Sequence, residues 1–240
     1  MPLQPLFSPM HKFLFFALLM AAASAQAGVV IGGTRFIYPQ GRQSVDIPVS
    51  NNSAQPWLIN SKILSAQRWK GAETVATSDT PFVVTPPLFE LAAGQENTVR
   101  LIRTATPLPA DRESLFTLSV AAIPSGHGGP HSVQMAIRSA LKLIYRPANL
   151  QGDPQHAYEQ LRWSRSSTGV TVNNPTPFYV TLFRVRINGQ HIDNAGVVAP
   201  FAMRHLTWCP GAGACQLQWQ TLNDYGRVMP ARDASVPTRD

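Results

Sequence analysis

The chain has 240 residues, of which 44% are hydrophobic and 14% are charged, and its formal net charge is +7. This length allows one large or two ordinary domains with real cores, and the low charge content without blocks of like sign excludes wholesale disorder. The basic residues are scattered and no nucleic-acid-binding motif is present, which argues against nucleic acid as a partner. The 21 prolines and 16 glycines, together with the lack of a long helical period, predict an all-β protein.

The N-terminus has the anatomy of a secretory signal peptide. His11 and Lys12 precede an apolar run over residues 13–23, and residues 25–27 form an A-x-A cleavage site. The run is too short to span a bilayer comfortably, although an uncleaved anchor is the alternative. We therefore predict that residues 1–27 are removed and that the mature protein is exported without membrane insertion.

From residue 28 onward, short strand-like stretches alternate with turn residues. The predicted strands of the first half are Val29–Tyr38, Val45–Val49, Trp57–Leu64, Phe82–Val84, Glu96–Arg103, Leu115–Ala122 and Ser132–Pro147. About seven short strands with regular turns are typical of an immunoglobulin-like β-sandwich of roughly a hundred residues. Because a strand cannot continue its ladder through Pro147, we place a boundary there and predict two domains, 28–148 and 149–240.

The last predicted strand of the first half carries apolar side chains at every second position. Val133, Met135 and Ile137 fall on one face, the pattern of a half-buried strand. The pattern fits an ordinary core strand, and it also fits an edge strand whose apolar row is meant for another polypeptide. Natural proteins normally blunt long apolar edges, so an edge kept open would be functional. Periodicity alone does not choose between these interpretations.

The second half repeats the all-β pattern, which predicts a second sandwich. Its predicted strands are Leu161–Ser164, Gly169–Asn173, Phe178–Ile187, Val197–Val198, Met203–Trp208 and Gln216–Leu222. Asn188-Gly189 is a strong signal for a two-residue hairpin. Cys209 and Cys215 flank a glycine-rich turn, and in an exported protein a disulfide is favoured over a two-thiolate metal site that lacks its other ligands.

No catalytic constellation is recognisable in the sequence. Nucleophile-elbow, zinc-protease, P-loop and dinucleotide-binding signatures are all missing, so an enzyme is disfavoured and no cofactor is predicted. His127 and His131 could face one metal ion, but without a third ligand nearby a solvated loop is the better interpretation. We predict no catalytic residue and no metal site.

Cations stand within otherwise apolar strands. They are Arg35, Arg100, Lys142 and Arg146. A row of solvent-facing charges is the usual explanation for such a pattern. Burying a charge costs several kcal/mol, as an order of magnitude, unless the charge is paired, so any inward-facing cation needs a carboxylate. Glu113 and Asp224 are the candidate partners.

Several motifs occur in an order that matches a known family. They are residues 34–38 (TRFIY), 85–88 (TPPL), 99–101 (VRL), 108–116 (LPADRESLF), 142–147 (KLIYRP), 174–179 (NPTPFY) and 223–226 (NDYG). Together they cover nearly all of the mature chain, and DRESLF followed by KLIYRP is the most specific combination. In these motifs the chain resembles the periplasmic pilus-assembly chaperones of the chaperone–usher pathway.

The resemblance implies a boomerang of two immunoglobulin-like domains with a cleft between them. It places Arg35 and Lys142 at the cleft floor, where they would anchor the C-terminal carboxylate of a pilus subunit. It assigns Val133, Met135 and Ile137 to donor-strand complementation, in which the chaperone supplies the strand that a subunit lacks. It further implies that the client is delivered to an outer-membrane usher, and the free chaperone could cover its open edge by forming a homodimer.

The resemblance also implies an ion-pair network across the domain junction. Its expected members are Arg100, Glu113, Arg146 and Asp224. The chain departs from a simple pattern in one respect: Lys142 differs in strand parity from the row beginning at Val133, which calls for a bulge or a strong twist if both serve one bound strand. The short loop 124–130 resembles that of the short-loop branch, which is associated with rod-type pili.

Two other functional classes remain open at this point. An exported pilus subunit or adhesin would need an N-terminal donor extension ahead of an incomplete sandwich, and 28–38 lies too close to the cleavage site to be both extension and first strand. An exported enzyme would need a convergent polar site, and none is visible in the sequence.

Overall fold

The structure is a computed structural model that describes residues 28–73, 80–126, 133–166, 168–211 and 213–237. Two β-sandwiches follow one another along the chain, which confirms the predicted all-β, two-domain fold. Within these ranges, no helix has the length and apolar character required to cross a bilayer. The predicted signal peptide, His127 and His131 lie outside the described residues.

Among the described residues, nine strands and one short 3₁₀ helix, Ala66–Arg68, form the first sandwich. The strands are β1 Val29–Ile31, β2 Arg35–Pro39, β3 Ser44–Asn51, β4 Trp57–Leu64, β5 Phe82–Thr85, β6 Leu88–Leu91, β7 Glu96–Arg103, β8 Ser114–Pro124 and β9 Ile137–Arg146. One sheet has the order β1-β3-β7-β5 and the other has the order β2-β9-β8-β4-β6. Alternate residues of both sheets point inward, and Ile47, Ile59, Val99, Leu118 and Leu143 are fully buried between them.

In the described part of the second sandwich there are eight strands, preceded by the 3₁₀ helix Ala157–Gln160. The strands are β10 Arg162–Ser166, β11 Gly169–Asn173, β12 Val180–Ile187, β13 Gln190–Ile192, β14 Val197–Val198, β15 Met203–Leu206, β16 Cys215–Leu222 and β17 Arg232–Val236. One sheet has the order β10-β11-β15; the other has the order β13-β12-β16-β17, with β14 paired to β12. The predicted boundary between domains 28–148 and 149–240 stays a prediction; it falls after β9.

Two local predictions in the second half are confirmed. Asn188 and Gly189 connect β12 to β13 as a two-residue hairpin, and both have positive φ, as the favoured turn requires. Cys209 and Cys215 form a disulfide with Cα atoms 6.1 Å apart. The bond closes the turn that leads into β16, where Cys215 is fully buried.

The predicted strand Ser132–Pro147 is shorter in the structure. β9 begins at Ile137, which pairs with Ala122 of β8, whereas residues 133–136 are described without strand pairing. The prediction of one continuous strand is therefore wrong for residues 133–136, and Ser132 lies outside the described residues. The physical reason is that alternation sets the direction of the side chains, while a strand also needs a neighbour for its backbone N–H and C=O groups.

A small third core joins the two sandwiches. Its buried members are Ala66, Leu115, Ile144 and Val197. Trp69 of the loop after β4 and Tyr179, which precedes β12, pack against this cluster from the two domains. The two domains therefore share apolar contacts at their junction.

Candidate binding cleft and domain junction

β2 and β9 place two cations next to each other. They are the parallel pair of the sheet, and their register sets Arg35 opposite Lys142. Arg35 is only 9% exposed. Its Nη1 atom donates to the carbonyl oxygen of Leu222 at 2.9 Å and to the Thr181 hydroxyl at 3.4 Å, both in the second domain. Burial lowers the pKa of the Arg35 guanidinium, and the charge of Asp224 opposes this shift.

Lys142 faces a cavity between the domains. The cavity has a volume of about 440 Å³, and Lys142 lines it together with residues of β12 and β13. The Nζ atom lies 3.9 Å from the centroid of the Trp69 ring, and in the described part of the chain no carboxylate forms an ion pair with it. Burial, followed by the charge of Arg35, lowers the pKa of Lys142 to about 8. The structure thus brings both predicted anchor residues together, with Lys142 the one that lines the cavity.

Arg146 forms an ion-pair network across the domain junction. Its Nε atom donates to Glu113 at 2.6 Å, and its Nη1 and Nη2 atoms donate to the two oxygens of Asp224 at 2.7 and 2.9 Å. The second carboxylate oxygen of Glu113 accepts the backbone N–H of Tyr179 at 2.7 Å. Because Glu113 and Arg146 belong to the first domain and the other partners to the second, the network holds one domain against the other.

The buried carboxylate of this network has a perturbed pKa. Glu113 is 2% exposed, and burial raises its pKa to about 7, while the charge of Arg146 and the N–H of Tyr179 limit the rise. For Arg146, burial opposes the charged form, but hydrogen bonds and charges from Asp224 and Glu113 outweigh it and raise the pKa. Every charged group here therefore depends on its partners.

The inclusion of Arg100 in this network is a wrong prediction. Arg100 donates from Nε and Nη2 to Asp46 at 2.7 and 2.9 Å, and both side chains are about half exposed. The pair lies on the outer face of the other sheet, where the β3–β7 register sets the two residues opposite each other. Strand alternation sends Arg100 away from the core, and its cross-strand neighbour satisfies the charge.

The predicted donor row is exposed at an open strand edge. Val133, Met135 and Ile137 are 90%, 70% and 56% exposed, respectively. β2 pairs only with 142–146 of β9, so within the described residues the preceding part of β9 has β8 as its sole strand neighbour. Exposed apolar side chains beside unpaired backbone groups are what a docking strand requires.

Of the bulge or strong twist that would bring this row and Lys142 to one bound strand, the bulge is not present in β9. The β8–β9 register runs without a shift from Ile137–Ala122 to Lys142–Thr117. Ile137 and Lys142 therefore lie on opposite faces of the strand, and they share its open edge rather than one face.

Sequence reasoning missed the groups that complete the site. Trp69 lies in a loop without a recognisable motif, and the acceptors of Arg35 include the backbone oxygen of Leu222. A backbone acceptor leaves no sequence signal, and a lone tryptophan is indistinguishable from a core residue. Only the tertiary structure reveals these contacts, the first within one domain and the second between the two.

Comparison with known proteins agrees with this architecture. Residues 28–151 match the family described as "Pili and flagellar-assembly chaperone, PapD N-terminal domain", and residues 156–233 match "Pili assembly chaperone PapD, C-terminal domain". The uncharacterized fimbrial chaperone YcbF of Escherichia coli K12 is 46% identical, over 91% of this chain and 93% of its own length. The chaperone FimC of the same strain is 39% identical, with 90% and 88% covered.

A solved structure is similar over the same extent. A chain in the complex of the SafA pilin with the SafB chaperone of Salmonella enterica is 32% identical, with a TM-score of 0.75 and coverage of 87% of this chain and 96% of that one. These matches favour neither an enzyme nor a pilus subunit. The chain belongs to the family of pilus-assembly chaperones with PapD-type N- and C-terminal domains.

Proposed function

We propose that this protein is a periplasmic chaperone that binds pilus subunits by lending them a β-strand and then delivers them to an outer-membrane usher. The observation that carries the proposal is the exposed apolar row of Val133, Met135 and Ile137, which continues into the open edge of β9 beside Lys142. Family membership supports it, since the similar SafB chaperone forms a complex with the SafA pilin.

The row and the edge supply different parts of the binding free energy. A client strand lies along β9 and pairs its backbone with the open edge. The apolar side chains of the chaperone fill the place in the client's core that its missing strand leaves empty. Burying each of Val133, Met135 and Ile137 contributes about 1.5–3 kcal/mol. Three such side chains together rival the electrostatic anchor in magnitude.

The anchor sets where the client strand ends. Lys142 has no carboxylate partner in the described residues and faces the cavity, so the C-terminal carboxylate of the client forms an ion pair with it. Charge-assisted hydrogen bonds of this kind are each worth roughly 1.5–3 kcal/mol. Arg35, in register beside Lys142, adds positive charge to the same site.

Export and a fixed domain orientation complete the proposal. Removal of residues 1–27 as a signal peptide releases the chaperone into the periplasm, where the Cys209–Cys215 disulfide is stable. The network of Glu113, Arg146 and Asp224 keeps the two domains at the angle that forms the cleft.

Met135→Asp is expected to abolish capture of a pilus subunit while the chaperone remains folded. The side chain is 70% exposed, so an aspartate costs little in the free protein, whereas in the complex it would bury a charge in the core of the client. The measurement is co-purification of the chaperone with a co-expressed pilus subunit, together with a thermal melt of each variant.

Met203→Asp is the matched control because Met203 on β15 is 69% exposed. It carries the same substitution outside the proposed interface, and it should capture subunits as the wild type does. Normal capture by Met135→Asp, or a melting temperature lowered by many degrees, would place Met135 in the chaperone's own structure and reject its donor role.

The affinity for a free carboxylate should fall as the pH rises. Below its pKa of about 8, Lys142 is an ammonium that binds a carboxylate; above it, the neutral amine does not. The bound carboxylate favours protonation, so binding weakens by up to about tenfold per pH unit above that pKa. Calorimetric titration with a strand-forming peptide measures this. The same peptide with a C-terminal amide should bind with an affinity that hardly changes with pH. Parallel plots of affinity against pH for the acid and the amide would contradict the anchor.

A further inference from the structure

The loop that follows the 3₁₀ helix Ala66–Arg68 reaches from the first domain to the second. We call residues 69–72 the crossing loop. The carbonyl oxygen of Lys70 in this loop accepts the backbone N–H of Val197 in β14 at 2.8 Å. β14 is paired with β12, where Thr181 lies opposite Val197. The crossing loop is therefore joined by a backbone hydrogen bond to a strand of the second domain.

A glycine stands next to this hydrogen bond in each domain. Gly71 and Gly196 have φ angles of +83° and +84°. A Cβ atom on Gly71 would overlap the carbonyl oxygen of Val197, and one on Gly196 would overlap the carbonyl oxygen of Lys70. The left-handed backbone favours glycine, and the close approach leaves no room for a side chain. The two chains therefore touch here in one fixed arrangement.

Arg204 of β15 supports the crossing loop from the second domain. Its Nη1 atom donates to the carbonyl oxygens of Ala195 and Val197 at 2.6 and 2.9 Å. Its Cδ and Nε atoms would lie 2.7 and 2.8 Å from a Cβ atom on Gly71, so the side chain packs directly against the loop. Burial lowers the pKa of the guanidinium, and the described residues supply no carboxylate partner. Carbonyl oxygens therefore hold Arg204 in place.

The remaining contacts of the crossing loop are apolar. Trp69 and Ala72 pack against the small core between the domains, which includes Val197. The contact thus combines apolar packing with backbone hydrogen bonds, and among the described residues it contains no ion pair. Salt weakens interactions between exposed charges, so this contact should not depend on ionic strength. In this respect it differs from the network around Arg146.

We propose that the crossing loop is a second, uncharged clamp between the domains, which fixes their relative orientation and thereby the width of the cleft. The ion-pair network of Arg146 holds the domains together at one place, and a fixed contact at another place removes the remaining freedom to rotate. If a client binds only one orientation, its apparent affinity falls with the fraction of molecules in that orientation. This consequence for the client rests on the proposed function, whereas the fixed orientation does not.

Pulsed electron paramagnetic resonance on the free chaperone tests the clamp. Spin labels are attached at Thr98→Cys in β7 and Gln190→Cys in β13, two exposed positions in different domains, with the native disulfide left oxidised. Gly71→Ala and Gly196→Ala each add one methyl group, from opposite sides of the same contact. We expect either substitution to broaden the distribution of distances between the labels at least about twofold, because a fixed packed contact becomes a hinge.

Gly41→Ala is the matched control. Gly41 has a φ of +85°, so alanine meets the same backbone strain there, but no heavy atom of the described chain lies within 4 Å of the added Cβ atom. This variant should keep the wild-type distance distribution. Capture of a co-expressed pilus subunit should weaken about tenfold in Gly71→Ala if a tenth of the molecules keep the competent orientation, and it should be unchanged in Gly41→Ala. Thermal melts verify that each variant is folded.

Amide hydrogen exchange of Val197 tests the same contact without any substitution. Its N–H exchanges only when the domains part at the crossing loop, so in the wild type it should be protected at least about a hundredfold. Unchanged distance distributions in folded Gly71→Ala and Gly196→Ala, or an unprotected Val197 N–H, would overturn the clamp. If neither variant folds, the exchange rate decides. Failure of the wild type to capture any subunit would reject the proposed function, and the distances would still decide on the clamp.

Discussion

Lys142→Ala is expected to abolish capture of a pilus subunit without unfolding the chaperone. The ammonium faces the cavity between the domains, with no carboxylate partner among the described residues. Losing the charge-assisted hydrogen bonds it makes to a client carboxylate would cost roughly 1.5–3 kcal/mol, or about ten- to more than a hundredfold in affinity. Since burial already disfavours the charged form, removing it should leave the free protein at least as stable.

Co-purification of subunits with the chaperone, followed by thermal melts, measures both parts of this expectation. Lys62→Ala on β4 is the matched control: it removes an exposed lysine outside the cleft and should capture subunits normally. Arg35→Ala should weaken capture too, but it also removes the hydrogen bonds to Leu222 and Thr181, so its melting temperature should fall. Undiminished capture by Lys142→Ala would reject Lys142 as the anchor of the client carboxylate.

Arg146→Ala is expected to cause the largest loss of stability among the charged residues of the strands. It leaves the carboxylate of Glu113 buried and unpaired and breaks the bidentate contact with Asp224. Breaking a buried pair in this way typically costs about 3–5 kcal/mol. Arg100→Ala removes an ion pair of similar distances that is exposed, and it should leave the free energy of unfolding almost unchanged.

Urea unfolding of both variants provides the comparison. At a pH well above 7, where the Glu113 carboxyl is ionised, the double variant Glu113→Gln, Arg146→Ala should be more stable than Arg146→Ala alone, because a neutral glutamine leaves no unpaired buried charge. If Arg146→Ala and Arg100→Ala unfold at the same urea concentration, the junction network does not stabilise the folded protein as its burial implies.

Local patterns in the sequence predict a large part of this fold. The alternation of apolar residues and the spacing of turns indicated two β-sandwiches, and Asn188-Gly189 indicated the hairpin between β12 and β13. The disulfide followed from two nearby cysteines in an exported chain. These inferences succeeded because each depends on residues close together in sequence, where the backbone preferences act directly.

The partners of the charged residues depend on contacts between distant segments. Alternation shows on which side of a strand Arg100 lies, but only the pairing of β3 with β7 sets it opposite Asp46 instead of Glu113. The residues 133–136 look like a strand because their side chains alternate, yet they have no pairing partner in the described structure.

The cavity wall formed by Trp69 arises in the same way, from a loop of one domain held against the other by a backbone hydrogen bond. The sequence by itself therefore indicated most of the strands, the hairpin turn and the disulfide. Tertiary structure alone decided which charges pair, which strand edge stays open and what surrounds Lys142. Periodicity acts over a few residues, whereas register and domain contact bring together groups that are far apart in the chain.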